Sequence, residues 1–179
     1  MSEVANFKFS LPALRVLENE HQYLSYLMEH WHTIVLAFER NVYTVEEGRE
    51  ALQTLRKLMV DFIEPLKNHT EKEEEFLFPL LAKYVGDEQG PVQATEEEHE
   101  EIDAYIGHFL HHTLGDLSHF TMEEMQNVVH DAAEAFEVIT VHFVKEESIL
   151  FPMVDNILRI DEQDKLYEQL YTPIIKMDT

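Results

Sequence analysis

The 179-residue sequence contains no cysteine, five glycines and six prolines. Without cysteine, disulfides, thiolate nucleophiles and cysteine-ligated iron–sulfur clusters are excluded within this chain. The scarcity of glycine and proline leaves long uninterrupted segments, which favour helices over a sandwich of short strands. No apolar run is long enough to span a bilayer, and the first residues lack the pattern of a secretion signal. We therefore expect a cytoplasmic, helical protein.

Basic residues are also scarce, since 13 Lys and Arg stand against 36 Asp and Glu, and the formal net charge is -23. A nucleic-acid backbone or an anionic membrane requires clustered cations, so we expect neither as a partner. Hydrophobic residues make up 45% of the chain, which is enough for a globular core. We expect a single domain over residues 1–179.

Apolar residues recur at helical spacing in four long segments that are joined by short connections. Thr44 with Glu47 and Thr121 with Glu124 have the spacing of capping boxes, which start the second and fourth helices. Pro91 is suited to the first turn of the third helix. The pattern predicts an all-α, up-down-up-down four-helix bundle with a short C-terminal helix.

One pattern occurs twice, because residues 69–79 and 142–152 both read H-x-x-K-E-E-x-x-L-F-P. A helix turns about 100° per residue, so the His and the Glu four positions later lie about 40° apart. Each copy can therefore direct an imidazole and a carboxylate at one target. Glu74 and Glu147, five positions after the His, lie about 140° away and are expected to face elsewhere.

The helix before each copy carries one histidine in its apolar stripe, His21 or His99, and Glu20 or Glu98 precedes it. The two halves, at about residues 10–86 and 90–158, therefore read as pseudo-repeats of one helix pair. The period also places four apolar residues inward beyond the two Glu residues: Phe76, Leu80, Ile149 and Met153. The other histidines are expected at the surface or at helix ends: His30, His32, His108, His111, His112, His119 and His130.

The inward residues with metal-binding side chains are His21, His69, Glu73, His99, His142 and Glu146. A lone buried histidine is usually a packed core residue, but two buried carboxylates require a partner or a metal. Two histidines per ion and two bridging carboxylates would give each of two metal ions four protein donors. An oxo or hydroxo bridge would add a fifth donor and leave one octahedral position open. Imidazole and carboxylate without thiolate favour iron, with manganese or zinc less suited.

A different metal arrangement uses Glu18 and Glu96, which precede His21 and His99 with the Glu-x-x-His spacing of ferritin-like di-iron proteins. The two glutamates of the repeated motif would complete that carboxylate-rich set. Such a site would favour the chemistry of a ferroxidase or a peroxidase. It gives no role to the repeated histidines of the motif.

Between His21 and Pro152 the sequence resembles the hemerythrin-like, HHE cation-binding family, through the doubled motif and the paired histidines. The resemblance implies a non-haem di-iron centre in a four-helix bundle. Oxygen-carrying hemerythrins have a further histidine where this chain has Asp103, and an Asp where it has Glu147. The set of four His and two Glu is more similar to the di-iron domain of the bacterial repair-of-iron-centres proteins.

That resemblance implies a protein that binds O2, NO or peroxide and acts in oxidative or nitrosative stress, in sensing or in iron handling. Iron handling would include donation of iron to damaged centres, so that a protein acceptor of iron is one expected partner. We favour this metal- and gas-binding role over enzymatic turnover. The alternatives are the ferritin-like enzyme and a non-catalytic, metal-bound regulatory module whose acidic surface docks a partner.

Overall fold

The computed structural model describes residues 7–86 and 90–171. Their α-helices are α1 (Pro12–Glu39), α2 (Val45–Lys72), α3 (Phe78–Val85), α4 (Pro91–His112), α5 (Met122–Lys145), α6 (Phe151–Ile157) and α7 (Ile160–Tyr171). Single π-helical turns at Glu73–Leu77 and Glu146–Leu150 join α2 to α3 and α5 to α6, so each pair continues as one long helix. The predicted all-α, up-down-up-down bundle with a short C-terminal helix is confirmed.

Local signals in the sequence set the helix ends. Both predicted capping boxes form, with the Thr44 hydroxyl accepting from the Glu47 backbone N–H at 3.3 Å and the Thr121 hydroxyl accepting from Glu124 at 3.2 Å. The Glu side chains accept in return from the two threonine N–H groups. Gly86 ends α3 with a φ of 81°, a left-handed conformation that glycine adopts without a steric penalty. These ends leave short connections between the long helices.

Helix α1 packs against α2 and α5, α4 packs against α5 and α2, and α7 lies on α1. The buried apolar residues form two clusters, one around Trp31 and Phe62 and one around Phe78 and Phe151. Each long helix passes from one cluster to the other, as α1 does between Leu24 and Leu17. Burial of one such side chain contributes about 1.5–3 kcal/mol, so the clusters fix the layer between them on both sides.

The two π turns change which residues face the core. The helical period predicts that Phe76, Leu80, Ile149 and Met153 face the core. The residues that are buried instead each lie one position later: Leu77, Leu81, Leu150 and Val154. Of the four predicted residues, Ile149 is 49% exposed, and the other three are only partly buried at the edge of a cluster. The prediction is wrong because each π turn accommodates one additional residue and rotates the chain beyond it. Inward residues therefore follow the motif histidine at steps of four.

No helix within residues 7–86 and 90–171 combines the length and the apolar character that a membrane crossing requires.

The shifted register predicts that substitutions at two neighbouring positions change the free energy of unfolding by very different amounts. Leu150→Ala should lower the free energy of unfolding by about 2–5 kcal/mol, because Leu150 is 1% exposed and its loss leaves a cavity. Ile149→Ala, the matched control, should change it by no more than about 0.5 kcal/mol. Chemical denaturation of both variants measures the difference, and a larger loss for Ile149→Ala would contradict the register.

Candidate metal centre

The structure brings all six predicted site residues into one buried layer between the two apolar clusters. Four helices, α1, α2, α4 and α5, contribute one histidine each: His21, His69, His99 and His142. Glu73 is the first residue of one π turn, and Glu146 is the first residue of the other. None of the six is more than 5% exposed. Their donor atoms form two groups, each with all atoms within 4.8 Å: His21, His69, Glu73 and Glu146, and then Glu73, His99, His142 and Glu146. The glutamates belong to both groups.

Each glutamate directs one oxygen at each histidine pair. Glu146 places Oε2 2.9 Å from the Nε2 of His21 and Oε1 3.1 Å from the Nε2 of His142. Glu73 places Oε1 3.2 Å from the Nε2 of His69 and Oε2 3.4 Å from the Nε2 of His99. Within each histidine pair the two Nε2 atoms are 3.1 Å apart. This is the arrangement of two carboxylates that can bridge two cations.

The outer nitrogen of every histidine also contacts a carboxylate. The Nδ1 atoms lie 3.0 Å from Glu147 for His21, 2.9 Å from Glu20 for His69, 2.7 Å from Glu74 for His99 and 2.9 Å from Glu98 for His142. An ionised carboxylate can only accept a hydrogen bond, so Nδ1 carries the proton in each neutral ring. The Nε2 lone pairs then point inward, as in histidines that bind a metal.

The inner atoms fit a metal on their chemistry. With neutral histidines, all the Nε2 atoms and carboxylate oxygens at the centre are acceptors that face one another. Both oxygens of Glu73 and Oε1 of Glu146 are buried without a hydrogen-bond partner among the described residues. An unpartnered carboxylate in a core carries a large desolvation cost, which a bound cation offsets. Nitrogen and oxygen donors without sulfur suit iron or manganese.

In the absence of a cation, protons bind to the inner histidines. Burial lowers the pKa of His69, but the negative charge of Glu73 and the hydrogen bond to Glu20 outweigh burial and raise that pKa to about 10. The same opposition raises the pKa of His99 to about 9, chiefly through Glu73, and raises the pKa of His21. Burial raises the pKa of Glu73, whereas the charge of His69 lowers it well below its ordinary value. A metal ion must therefore displace protons.

The remaining polar residues of the motif H-x-x-K-E-E form contacts outside the centre. Lys72 pairs with Glu20, and Lys145 pairs with Glu98, so each lysine holds the carboxylate that orients the histidine of its own motif. Glu74 and Glu147 face away from the centre, as their angle predicted, but they orient His99 and His21 of the opposite half. Sequence reasoning missed these roles. The matched Glu before each lone histidine was the available signal.

Glu18, Glu96 and Asp103 lie outside the cluster. The Glu18 carboxylate is buried, but it accepts the backbone N–H groups of Lys8 and Phe9, at 2.7 and 3.3 Å. Glu96 is exposed on α4. The carboxylate-rich, ferritin-like set is therefore not assembled here.

Of the remaining histidines, six are exposed as predicted: His30, His108, His111, His112, His119 and His130. His32 is half-buried, and its ring stacks on Phe136 with 3.5 Å between the ring centroids. Burial lowers the pKa of His32. It takes no part in the centre, so the surface prediction for it is only partly correct.

A family model described as the hemerythrin HHE cation binding domain matches residues 13–154, a span that includes all six residues. Searches of curated proteins and of solved structures found no match.

Competition between protons and metal predicts a pH effect on the metal-free protein. The pKa values of about 10 for His69 and 9 for His99 lie above the ordinary value of 6.5, so the folded state binds more protons in that window. This stabilisation is present below pH 6.5 and is lost as pH rises through 9 and 10. Thermal unfolding with a chelator should show a falling midpoint across the window.

The metal-loaded protein should lack this fall, since its inner nitrogens no longer bind protons. His69→Gln should flatten the profile of the metal-free protein, whereas His30→Gln at an exposed position should not. A midpoint that rises with pH in the metal-free wild type would contradict the assignment.

Proposed function

The chain belongs to the hemerythrin HHE cation-binding family, and we propose that it is a non-haem di-iron protein that binds O2, NO or peroxide at the centre of its bundle. Its role would lie in oxidative or nitrosative stress, in sensing or in iron handling, which includes donating iron to damaged centres. One observation carries the proposal. Two histidine pairs share two buried carboxylates that have one oxygen on each side.

His21 and His69 would hold one iron, His99 and His142 would hold the second, and Glu73 and Glu146 would bridge them. Each iron then has four protein donors. An oxo or hydroxo bridge would supply a fifth donor, which leaves one octahedral position per iron for an exogenous ligand. The family supports binding of small gases at such a site, and the donor set supports iron before manganese or zinc.

A groove between α1 and α5 supports access for a small ligand. Its volume is about 400 Å³, and its lining includes His21 and Glu147 as well as Tyr26 and Thr140. The His21 ring stacks between Phe143 and Phe151, with centroid distances of 4.1 and 5.4 Å. These apolar rings cover the centre and His21 is only 2% exposed, so a diatomic or a peroxide would reach the metal from the groove more readily than a larger substrate.

The near symmetry of the donor set supports iron handling rather than oxygen carriage. Both proposed iron positions have two histidines, and Asp103, at the place of the additional histidine of oxygen carriers, stays outside the cluster. Fewer nitrogen donors should hold iron less firmly.

We further propose a cytoplasmic location. We also propose that the chain is one domain whose two pseudo-repeats arose from a duplicated helix pair. The matching outer contacts of Lys72 and Lys145 support the duplication.

Iron content and optical spectra of protein produced with iron test the proposal. We expect two irons per chain and charge-transfer bands that vanish on reduction and change on exposure to O2 or NO. His69→Ala and His142→Ala should each lower the iron content, whereas His30→Ala and His108→Ala, at exposed positions, should leave it unchanged. Wild-type protein without iron, or spectra that respond to neither gas, would contradict the proposal.

A further inference from the structure

The four carboxylates that orient the histidines differ in how they are held. Three of them are 15–21% exposed, and each pairs with a lysine: Glu20 with Lys72, Glu98 with Lys145 and Glu147 with Lys8. The fourth, Glu74, is 46% exposed. Within residues 7–86 and 90–171, no lysine or arginine forms a salt bridge with Glu74. Glu74 is therefore the most water-exposed of the four orienting carboxylates.

The contrast is sharpest between Glu147 and Glu74, which occupy the same position of the repeated motif. Lys8 Nζ donates to Glu147 at 2.5 Å. The segment that carries Lys8 is fixed in turn, because the backbone N–H groups of Lys8 and Phe9 donate to the buried Glu18. The Phe9 ring also packs on Phe151, with 5.5 Å between the ring centroids. Glu147 is thus paired with a lysine whose backbone segment is held in place.

The difference bears on the histidines that these carboxylates orient. His99 depends on one hydrogen bond to Glu74 of 2.7 Å, and His99 is 5% exposed against 2% for His21. Rotation of the exposed Glu74 carboxylate into water would remove the acceptor of the His99 Nδ1–H and weaken the hold on the orientation of the ring. Loss of such an outer partner typically weakens a metal site by about 10–100-fold.

We propose that the two metal positions differ in lability, with the divalent ion of His99 and His142 exchanging past Glu74 while Lys8 and Glu147 retain the ion of His21 and His69. This inference rests on the proposed two-metal centre and deepens it. The chain would then release one ion readily and keep the other, so that the bundle layer stays neutralised during transfer. Glu74 and Lys8 act as positioning residues and do not ligate the metal.

Zinc release from the full-length protein tests this proposal, with Zn²⁺ as a diamagnetic probe. Protein loaded with two Zn²⁺ is mixed with an excess of chelator, and release is followed by absorbance. We expect two phases of one ion each. Nitrogen-15 NMR of the imidazoles after the first phase should show that the Nε2 atoms of His99 and His142 are free while those of His21 and His69 remain bound.

Two substitutions should each change the rate of only one phase of zinc release. Glu74→Gln keeps the shape but weakens the hydrogen bond to His99, and it should accelerate the fast phase by roughly tenfold without changing the slow phase. Lys8→Met should accelerate the slow phase by a smaller factor, about two- to fivefold, and leave the fast phase unchanged, because Lys8 acts only through Glu147 and its side chain is 69% exposed. Lys83→Met, at an exposed position on α3, is the matched control and should change neither phase.

The proposal is overturned if two bound ions leave at one rate, if Glu74→Gln accelerates both phases equally, or if the first ion leaves His21 and His69. Those outcomes leave the two-metal centre intact. Binding of fewer than two Zn²⁺ by the wild type would instead contradict the two-metal centre and this inference together.

Discussion

The rest of the structure depends on how two carboxylates in an apolar core offset their desolvation free energy. Glu73 and Glu146 have no exposed surface, and three of their four oxygens have no hydrogen-bond partner within the described part of the chain. An isolated ionised carboxylate in such a place is strongly disfavoured. The four histidines around it present acceptor nitrogens when neutral, so they stabilise the carboxylates only after binding protons or a cation. The bundle is therefore built around positive charge, which bound protons or a bound cation supply.

Charge alternates outward from this centre. The proposed cations meet Nε2 of each histidine, Nδ1 donates to a carboxylate, and three of those carboxylates meet a lysine. Each layer orients the one inside it, so the inner nitrogens are aimed before a metal arrives. Glu147 and Glu74 each contact a histidine of the opposite half of the chain, which ties the two halves together around the centre. The duplicated motif supplies two lysines and two carboxylates of this network, and Lys8, Glu20 and Glu98 come from outside the motif.

The bundle and the identity of the inner cluster could be predicted because local rules determine them. Capping boxes and proline positions set helix ends, and a four-residue step from His to Glu keeps both on one face. The π turns could not be predicted, since adjacent apolar residues follow each motif glutamate and fit either helical register. The helical period therefore predicts Phe76 and Ile149 inward, whereas Leu77 and Leu150 are the buried residues.

The contacts between helices were also beyond sequence reasoning. The partnership of Glu147 with His21 joins α1 to the second π turn, and Lys8 reaches Glu147 from a segment before α1. These two contacts depend on how the helices are packed, and no repeated pattern of the sequence indicates that Glu147 contacts His21 or Lys8. The role of the six inner residues as ligands stays a prediction.

The most direct test of that prediction is a crystal structure of the iron-loaded protein with anomalous diffraction at the iron edge. The account predicts two iron peaks, one bound by His21 and His69 and one by His99 and His142, with Glu73 and Glu146 bridging both. A single iron peak, or iron bound by Glu18 or Glu96 in place of the motif histidines, would contradict it.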